Sequence, residues 1–230
     1  MGKRAIAPVL SLFIGLLLMF QPDWLTTTLA KRVTYSVDTR APVVALTIDD
    51  GPDAQTTPWI LDILHQHDAR ATFFLITERI PGNEATLDRI VAEGHELGNH
   101  MTRDQPSILL GSDRFERELL AADSALSGYG EVRWLRPGSG WFNARMLNVT
   151  ESRGYRLALA SIYPLDATIP STWFASEFIL WRAKPGAVIL LHDVGTRGER
   201  TAETLLRVLP ELTNRGYRVV TLSELVALEG

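Results

Sequence analysis

The chain of 230 residues contains no cysteine, which excludes disulfides, thiolate metal ligands and cysteine nucleophiles. It has no cluster of Lys and Arg beyond its first residues and carries a net charge of -4, so nucleic acid is not an expected partner. It also lacks internal repeats, low-complexity tracts and linkers after residue 31. What it has is an ordinary apolar and charged content, over a length sufficient for one α/β domain with a full core.

The first 30 residues have the pattern of an export signal. Lys3 and Arg4 precede an apolar stretch, residues 5–20, that contains no charged side chain. The stretch is short for a membrane span, which needs about 20 residues, and residues 28–30 offer a small-x-small cleavage site. We therefore expect residues 1–30 to be a signal peptide or a signal anchor, which would attach to the membrane through residues 5–20. The rest of the chain is expected to be extracytoplasmic.

Beyond residue 31, apolar stretches typical of strands alternate with stretches of helical periodicity. Such alternation predicts a parallel sheet covered by helices, either open or closed into a barrel. About seven strand–helix units favour a distorted barrel over the full eight. The expected fold is therefore α/β, a distorted (β/α) barrel of about seven parallel strands formed by one domain, residues 31–230. The predicted strands are residues 43–48, 71–76, 96–98, 132–135, 156–160, 187–191 and 218–221, and the predicted helices are residues 57–67, 83–93, 112–126, 142–153, 173–184 and 201–215.

Two adjacent acids, Asp49 and Asp50, end the apolar run of residues 43–48, and Gly51 and Pro52 then stop the strand. The run is typical of a buried parallel strand, and α/β proteins place their chemistry at the carboxyl ends of such strands. Because successive side chains of a strand point to opposite faces, the two acids cannot do the same job.

Three further strand ends carry reactive side chains. His100 and Asp104 lie four residues apart, on one face of a helical turn, and imidazole and carboxylate are good ligands for a divalent metal. Arg136 precedes a proline at another strand end, and His192 follows the apolar run of residues 187–191. Each feature alone is more often a surface pair, a turn or a structural histidine. Together, in this order and at strand ends, they indicate a catalytic site.

In these motifs the chain resembles the polysaccharide deacetylases with the NodB homology domain, carbohydrate esterase family 4. The resemblance covers residues 43–225, nearly all of the chain after the predicted signal. It implies that Asp49 is the general base and Asp50 a metal ligand. The family's second motif supplies two histidine ligands spaced i,i+4; His100 matches the first, and Asp104 stands in place of the second. The implied metal site is therefore Asp50, His100 and Asp104.

The resemblance also assigns residues near the base. Arg136 matches the arginine that orients the catalytic aspartate in the family. In the family, a backbone N–H close to an aromatic residue helps to hold the oxyanion, and Ser139 occupies that place here. Because the aromatic residue is missing here, the site is expected to be more open, with Trp141 refilling it.

A last pair of motifs implies the general acid and its surroundings. His192 matches the histidine that protonates the leaving group, and Asp166 matches the acid that tunes this histidine. The family's tryptophan after that acid is Ala167 here. Leu190 matches the residue that lines the pocket for the acetyl group.

The implied function is a metal-dependent hydrolase that removes N-acetyl groups from an N-acetylhexosamine polymer or oligomer, such as peptidoglycan or chitin. The implied metal is zinc, with cobalt or manganese as alternatives because Asp104 adds a harder, anionic ligand. The expected partner is the acetylated glycan, and the expected state is a monomer. Two alternatives stay open: an O-acetyl esterase acting on a xylan-like polymer, and a catalytically degenerate member that only binds carbohydrate.

A binding module without catalysis would present exposed aromatic side chains to its sugar. Trp59, Trp134, Trp173 and Trp181 fall in helical or strand contexts. We therefore expect these tryptophans in the core rather than as platforms for sugar rings.

Overall fold

The computed structural model describes residues 30–230, so the predicted signal segment lies outside the described residues apart from Ala30. Across residues 30–230, no helix combines the length and the apolar character that a membrane crossing requires. The strands are β1 (Val33–Thr34), β2 (Val43–Asp49), β3 (Ala71–Leu75), β4 (Glu96–Asn99), β5 (Trp134–Leu135), β6 (Arg156–Ala158), β7 (Val188–His192) and β8 (Arg218–Val220). The helices are α1 (Thr56–Gln66), α2 (Glu84–Ala92), α3 (Ser112–Leu126), α4 (Ala144–Ser152), α5 (Thr172–Arg182), α6 (Gly195–Asn214) and α7 (Leu222–Val226).

The described strands form one parallel sheet in the order β1–β6–β5–β4–β3–β2–β7, with β8 beside the first half of β2. Two isolated bridges, Ser36 to Ala187 and Ile162 to Ile189, join the two ends of this order. The sheet therefore curls into a distorted, incomplete barrel, as the strand–helix alternation predicts.

The central strand β2 is buried along its whole length because it is covered on both faces. Val44 and Leu46 pack with apolar side chains of the surrounding helices, whereas Val43 and Ala45 belong to the cluster inside the barrel. Side chains alternate between the two faces of a strand. The inner face of β2 therefore carries Asp49 at its carboxyl end.

All seven predicted strands and all six predicted helices are present, with shifted ends. The two-residue strand β1 was not predicted, because two residues carry no periodicity. Helix α6 begins at Gly195, six residues before the predicted start, because its glycines argue against a helix in the sequence. Gly198 is needed there, since a Cβ atom at this position would collide with Thr56 of α1. The short helix α7 was also missed; Thr221 and Glu224 start it as a capping box.

The expectation that four tryptophans lie in the core is right only for Trp134, which is 2% exposed. Trp59 is 39% exposed, Trp173 64% and Trp181 75%. Helix α5 carries two of the exposed rings because its sequence is apolar on several sides, and only one of those sides can face the barrel.

Candidate active site

The register of the sheet brings the predicted site residues to one edge of the barrel. Asp49, the last residue of β2, pairs with His192, the last residue of β7. His100 and Arg136 each follow directly on neighbouring strands, β4 and β5. A cavity of about 390 Å³ opens at this edge. Nine of the ten predicted residues line it, namely Asp49, Asp50, His100, Asp104, Arg136, Ser139, Trp141, Leu190 and His192.

A buried arginine holds the predicted base. Arg136 is 1% exposed, and its Nη1 lies 2.6 Å from Oδ1 of Asp49 and 2.9 Å from Oγ1 of Thr47. Its Nε and Nη2 donate to the carbonyl oxygens of Ala158 and Leu159, at 3.1 and 3.0 Å. Because the guanidinium is bonded on three sides, Asp49 has a counter-ion that cannot move away.

The predicted acid, His192, is held by Asp166. Nδ1 of His192 lies 3.0 Å from both carboxylate oxygens, and the backbone N–H of His192 donates to Oδ2 of Asp166 at 2.9 Å. Burial disfavours the charged imidazole, but the neighbouring carboxylates, Asp166 first, outweigh it and raise the pKa of His192 to about 9. The imidazole is therefore protonated at neutral pH, as a general acid must be.

Asp50 and His100 face each other beside this pair. Nδ1 of His100 lies 2.7 Å from the carbonyl oxygen of Arg136, which can only accept, so Nδ1 carries the hydrogen. Nε2 is thereby aimed at Asp50, 3.5 Å from its Oδ1, while Nη1 of Arg197 lies 2.9 Å from its Oδ2. Burial opposes ionisation of Asp50, but His100 and the nearby cations lower its pKa to about 2.

Asp104 lies on the wall of the same cavity but is turned to a different partner. Its side chain is 57% exposed, and its Oδ2 lies 3.4 Å from Nη2 of Arg79. Within residues 30–230 no group of three or more acidic or histidine side chains is drawn together as a metal site. The donors nevertheless suit a divalent metal, since a carboxylate and an imidazole with a directed Nε2 lie side by side and a second carboxylate shares their cavity.

Comparison with known proteins relates the chain to a protein family. The polysaccharide deacetylase family model matches residues 36–158. A peptidoglycan-N-acetylglucosamine deacetylase of Bacillus cereus is 34% identical over 197 residues, which cover 84% of this chain and 92% of that protein. A chitooligosaccharide deacetylase of Sinorhizobium fredii is 31% identical over 199 residues, covering 81% of this chain and 93% of that protein. A solved peptidoglycan N-acetylglucosamine deacetylase, in complex with 4-naphthalen-1-yl-N-oxidanyl-benzamide, matches with a TM-score of 0.82 at 28% identity, over 86% of this chain and 95% of that chain.

The chain belongs to the polysaccharide deacetylase family. It is a hydrolase of carbon–nitrogen bonds other than peptide bonds, of the class to which these relatives belong. The family and the distorted barrel, both predicted from the sequence, are confirmed.

The loops of the candidate site hold unusual backbone conformations. Among the described residues, six that are not glycine have a positive φ, and five of them stand at predicted site residues or within two residues of one. L-residues adopt this region only when the surrounding structure enforces it, and such strain collects at functional sites. The five residues are Asp50 (77°), Met101 (70°), Ser139 (65°), Leu165 (59°) and Val194 (107°).

Sequence reasoning missed several residues of the candidate site. Thr47 bonds Arg136, and its place two residues before Asp49, on the same strand face, could have revealed it. Tyr163 packs edge-on against the His192 ring, with the ring centroids 5.9 Å apart. Arg197 lines the cavity, but it was missed because the sequence predicts a loop at this position.

Proposed function

We propose that the chain is a metal-dependent N-deacetylase that acts on a polysaccharide or oligosaccharide of N-acetylhexosamine, with Asp49 as base and His192 as acid. The observation that carries the proposal is the pairing of these two residues at the ends of adjacent strands, each with its own charged partner, on the wall of one cavity. Amide hydrolysis needs a base for the attacking water and an acid for the departing nitrogen.

Asp49 takes the proton of the attacking water through its second oxygen. Its Oδ1 is engaged by Arg136, which holds the carboxylate in one orientation. Thr47 supports this geometry, because its hydroxyl accepts from Arg136 and donates to the carbonyl oxygen of Ile189 at 2.7 Å.

His192 gives a proton to the leaving nitrogen. Because Nδ1 is engaged by Asp166, the Nε2 proton is the one available for transfer. The raised pKa of His192, about 9, keeps that proton in place at the pH of the cell surface. After transfer, Asp166 stabilises the return of the imidazole to its charged form.

Asp50, His100 and Asp104 are the residues that would hold the metal, zinc in the first instance and cobalt or manganese as alternatives. When bound, a divalent metal polarises the acetyl carbonyl and lowers the pKa of water. Asp104 would have to leave Arg79 to serve as the third ligand, since the two are paired through Oδ2 of Asp104.

The substrate is proposed from the cavity and from the relatives. Trp141 is 48% exposed on the cavity wall, where its ring can stack on a sugar, and Leu190 lines the same wall for the acetyl methyl group. Ser139 lines the same cavity, at the position where the resemblance expects a backbone N–H to hold the oxyanion. The named activities of the relatives, on peptidoglycan and on chitooligosaccharide, support an N-acetylglucosamine substrate outside the cytoplasm. Such a location agrees with a signal peptide or anchor in residues 1–30 and one catalytic domain in residues 31–230.

Two alternatives use the same cavity. An O-acetyl esterase on a xylan-like polymer would need the same base, acid and metal, so the residues alone do not separate it from an N-deacetylase. A carbohydrate-binding member without catalysis is favoured by one observation, the pairing of Asp104 with Arg79 instead of with the other two donors.

Release of acetate from a panel of substrates tests the proposal. The panel contains peptidoglycan, chitin oligomers and acetylated xylan, each with the enzyme alone, with a chelator, and with zinc, cobalt or manganese restored. We expect release from an N-acetylglucosamine substrate that the chelator stops and a metal restores. Release only from acetylated xylan would favour the esterase, and no release with any metal would favour the non-catalytic alternative.

The role of Asp104 has its own test. Asp104→Ala should reduce metal affinity and acetate release together, and Asp104→His should restore zinc binding if the spacing from His100 is right. Full metal content in Asp104→Ala would show that Asp104 is structural. Asp113, an acid in the first turn of α3, gives the matched control variant Asp113→Ala.

A further inference from the structure

Arg197 contacts the acid that would carry the metal. It lies in the first turn of α6, and its Nη1 is 2.9 Å from Oδ2 of Asp50. The other oxygen of Asp50 faces Nε2 of His100 at 3.5 Å. The carboxylate is thus shared between a permanent cation on one side and an imidazole on the other.

This contact is partly open to the cavity. The side chain of Asp50 is 6% exposed, whereas that of Arg197 is 31% exposed and lines the cavity wall. The other arginine on this wall, Arg136, is 1% exposed and bound to Asp49 and three further oxygens, so it has no freedom to exchange partners. Arg197 is attached through a single carboxylate oxygen and can be displaced.

We propose that Arg197 is a positioning residue that serves as the resident counter-ion of Asp50 and thereby weakens the affinity of the site for a divalent cation. The inference rests on the proposed metal ligands Asp50 and His100. A cation entering between them meets a carboxylate that is already neutralised, and only Oδ1 is open to it. The guanidinium of Arg197 then either stays close to the bound cation, which repels it, or gives up its ion pair with Asp50.

The direction of the effect follows from charge alone. Two like charges a few ångströms apart in a partly buried site repel each other strongly, because the effective dielectric constant there is about 20 rather than 80. Removal of the guanidinium should therefore strengthen cation binding by at least about 10-fold. Damage to the fold would act in the opposite direction, so a gain of affinity separates this role from a structural one.

The test is a metal titration of the whole chain with zinc, cobalt and manganese ions alone, without substrate. Arg197→Met removes the charge and keeps the length of the side chain, and Arg197→Lys keeps the charge. Arg207→Met is the matched control, because Arg207 is exposed on the same helix and about 15 Å further along it. We expect Arg197→Met to bind at least one metal about 10-fold or more tightly than the wild type, and Arg197→Lys and Arg207→Met to bind as the wild type does.

Each other result overturns the inference in a recognisable way. Equal or weaker binding by Arg197→Met, with the wild type binding metal, means that Arg197 does not compete and leaves the proposed function intact. An equal gain in Arg207→Met means that the effect comes from net charge. No binding by either the wild type or Arg197→Met removes the metal site itself, and the inference fails with the proposed function.

Discussion

The two ends of the sheet use acidic side chains for opposite purposes. At the carboxyl end, Asp49 pairs with Arg136 and Asp166 pairs with His192, and both cations lie on the wall of an open cavity. At the amino end, Glu96 accepts from the hydroxyl of Thr72 at 2.7 Å and from the hydroxyl and backbone N–H of Ser223. Neutral donors anchor a carboxylate, whereas a paired cation also places a charged group beside the cavity. The amino end of the barrel is therefore built for stability and the carboxyl end for reaction.

The backbone repeats this difference. Five of the six non-glycine residues with positive φ in residues 30–230 lie at the carboxyl end, and the exception, Asp68, is in the turn before β3. The amino end instead has a regular capping box, in which Thr221 and Glu224 start α7. Local strain at one end is tolerated because the rest of the barrel is regularly bonded.

The largest expected effect comes from removal of the buried guanidinium at the carboxyl end. Arg136→Met leaves the charge of Asp49 buried without its partner, so we expect the free energy of unfolding to fall by about 3–5 kcal/mol and acetate release to be lost. Urea denaturation measures the first and an acetate assay the second. Arg133→Met, in an exposed ion pair with Glu131, is the control and should unfold as the wild type does. A urea midpoint of Arg136→Met equal to that of the wild type would contradict this expectation.

The next effect concerns the acid. Asp166→Asn keeps the shape of the side chain and removes the charge that raises the pKa of His192 to about 9. That pKa should fall towards its ordinary value, so the alkaline limb of the pH–rate profile should move to lower pH and the rate at pH 8.5 should fall by at least about 10-fold. Rates measured across the pH range give the limb directly. An unchanged limb would mean that His192 is not the acid or that Asp166 does not tune it.

The same substitution of carboxylate by amide at the amino end should change stability alone. Glu96→Gln loses part of the hydrogen bonding to Thr72 and Ser223, which should lower the free energy of unfolding by about 1–3 kcal/mol. The kcat of the folded variant should equal that of the wild type. Denaturation and acetate release, measured on Glu96→Gln and Asp166→Asn together, test the contrast between the ends. A large loss of kcat in Glu96→Gln would break it.

The smallest effect is a pH dependence of stability at the amino end. Burial, with help from Arg70 and Arg89 and against Glu93, lowers the pKa of His95 to about 4. Between pH 6.5 and 4 the unfolded chain therefore binds a proton that the folded chain does not, and stability falls as the pH falls. Between pH 6.5 and 5, the free energy of unfolding of His95→Gln should fall by about 1–2 kcal/mol less than that of the wild type. An equal change with pH in the free energies of unfolding of wild type and variant would contradict the low pKa of His95.

The sequence predicts the barrel and most of the site because both depend on local patterns. Apolar runs define β2 and β7, and the acid and the histidine at their ends must meet once the two strands are parallel and adjacent. Asp49 and His192 were identified in this way, and the register places them side by side.

The arginine partners of Asp50 and Asp104 could not be predicted, since they come from chain segments without a pattern. Arg197 reaches Asp50 only because α6 begins at Gly195, and the glycines there are typical of a loop. Arg79 lies in the short connection after β3, and nothing in the sequence links it to Asp104. Long side chains of arginine reach across loops, so their pairing depends on tertiary geometry rather than on spacing.

The variant Asp49→Asn tests the central claim most directly, that Asp49 is the base and lies outside the metal ligands. The measurement combines acetate release and metal affinity on the same preparation, with Asp50→Asn as the matched variant of the proposed ligand. We expect Asp49→Asn to lose about 100-fold or more in acetate release and to bind metal as the wild type does, whereas Asp50→Asn should lose both. Near-normal acetate release by Asp49→Asn, or loss of its metal, would contradict the assignment of roles.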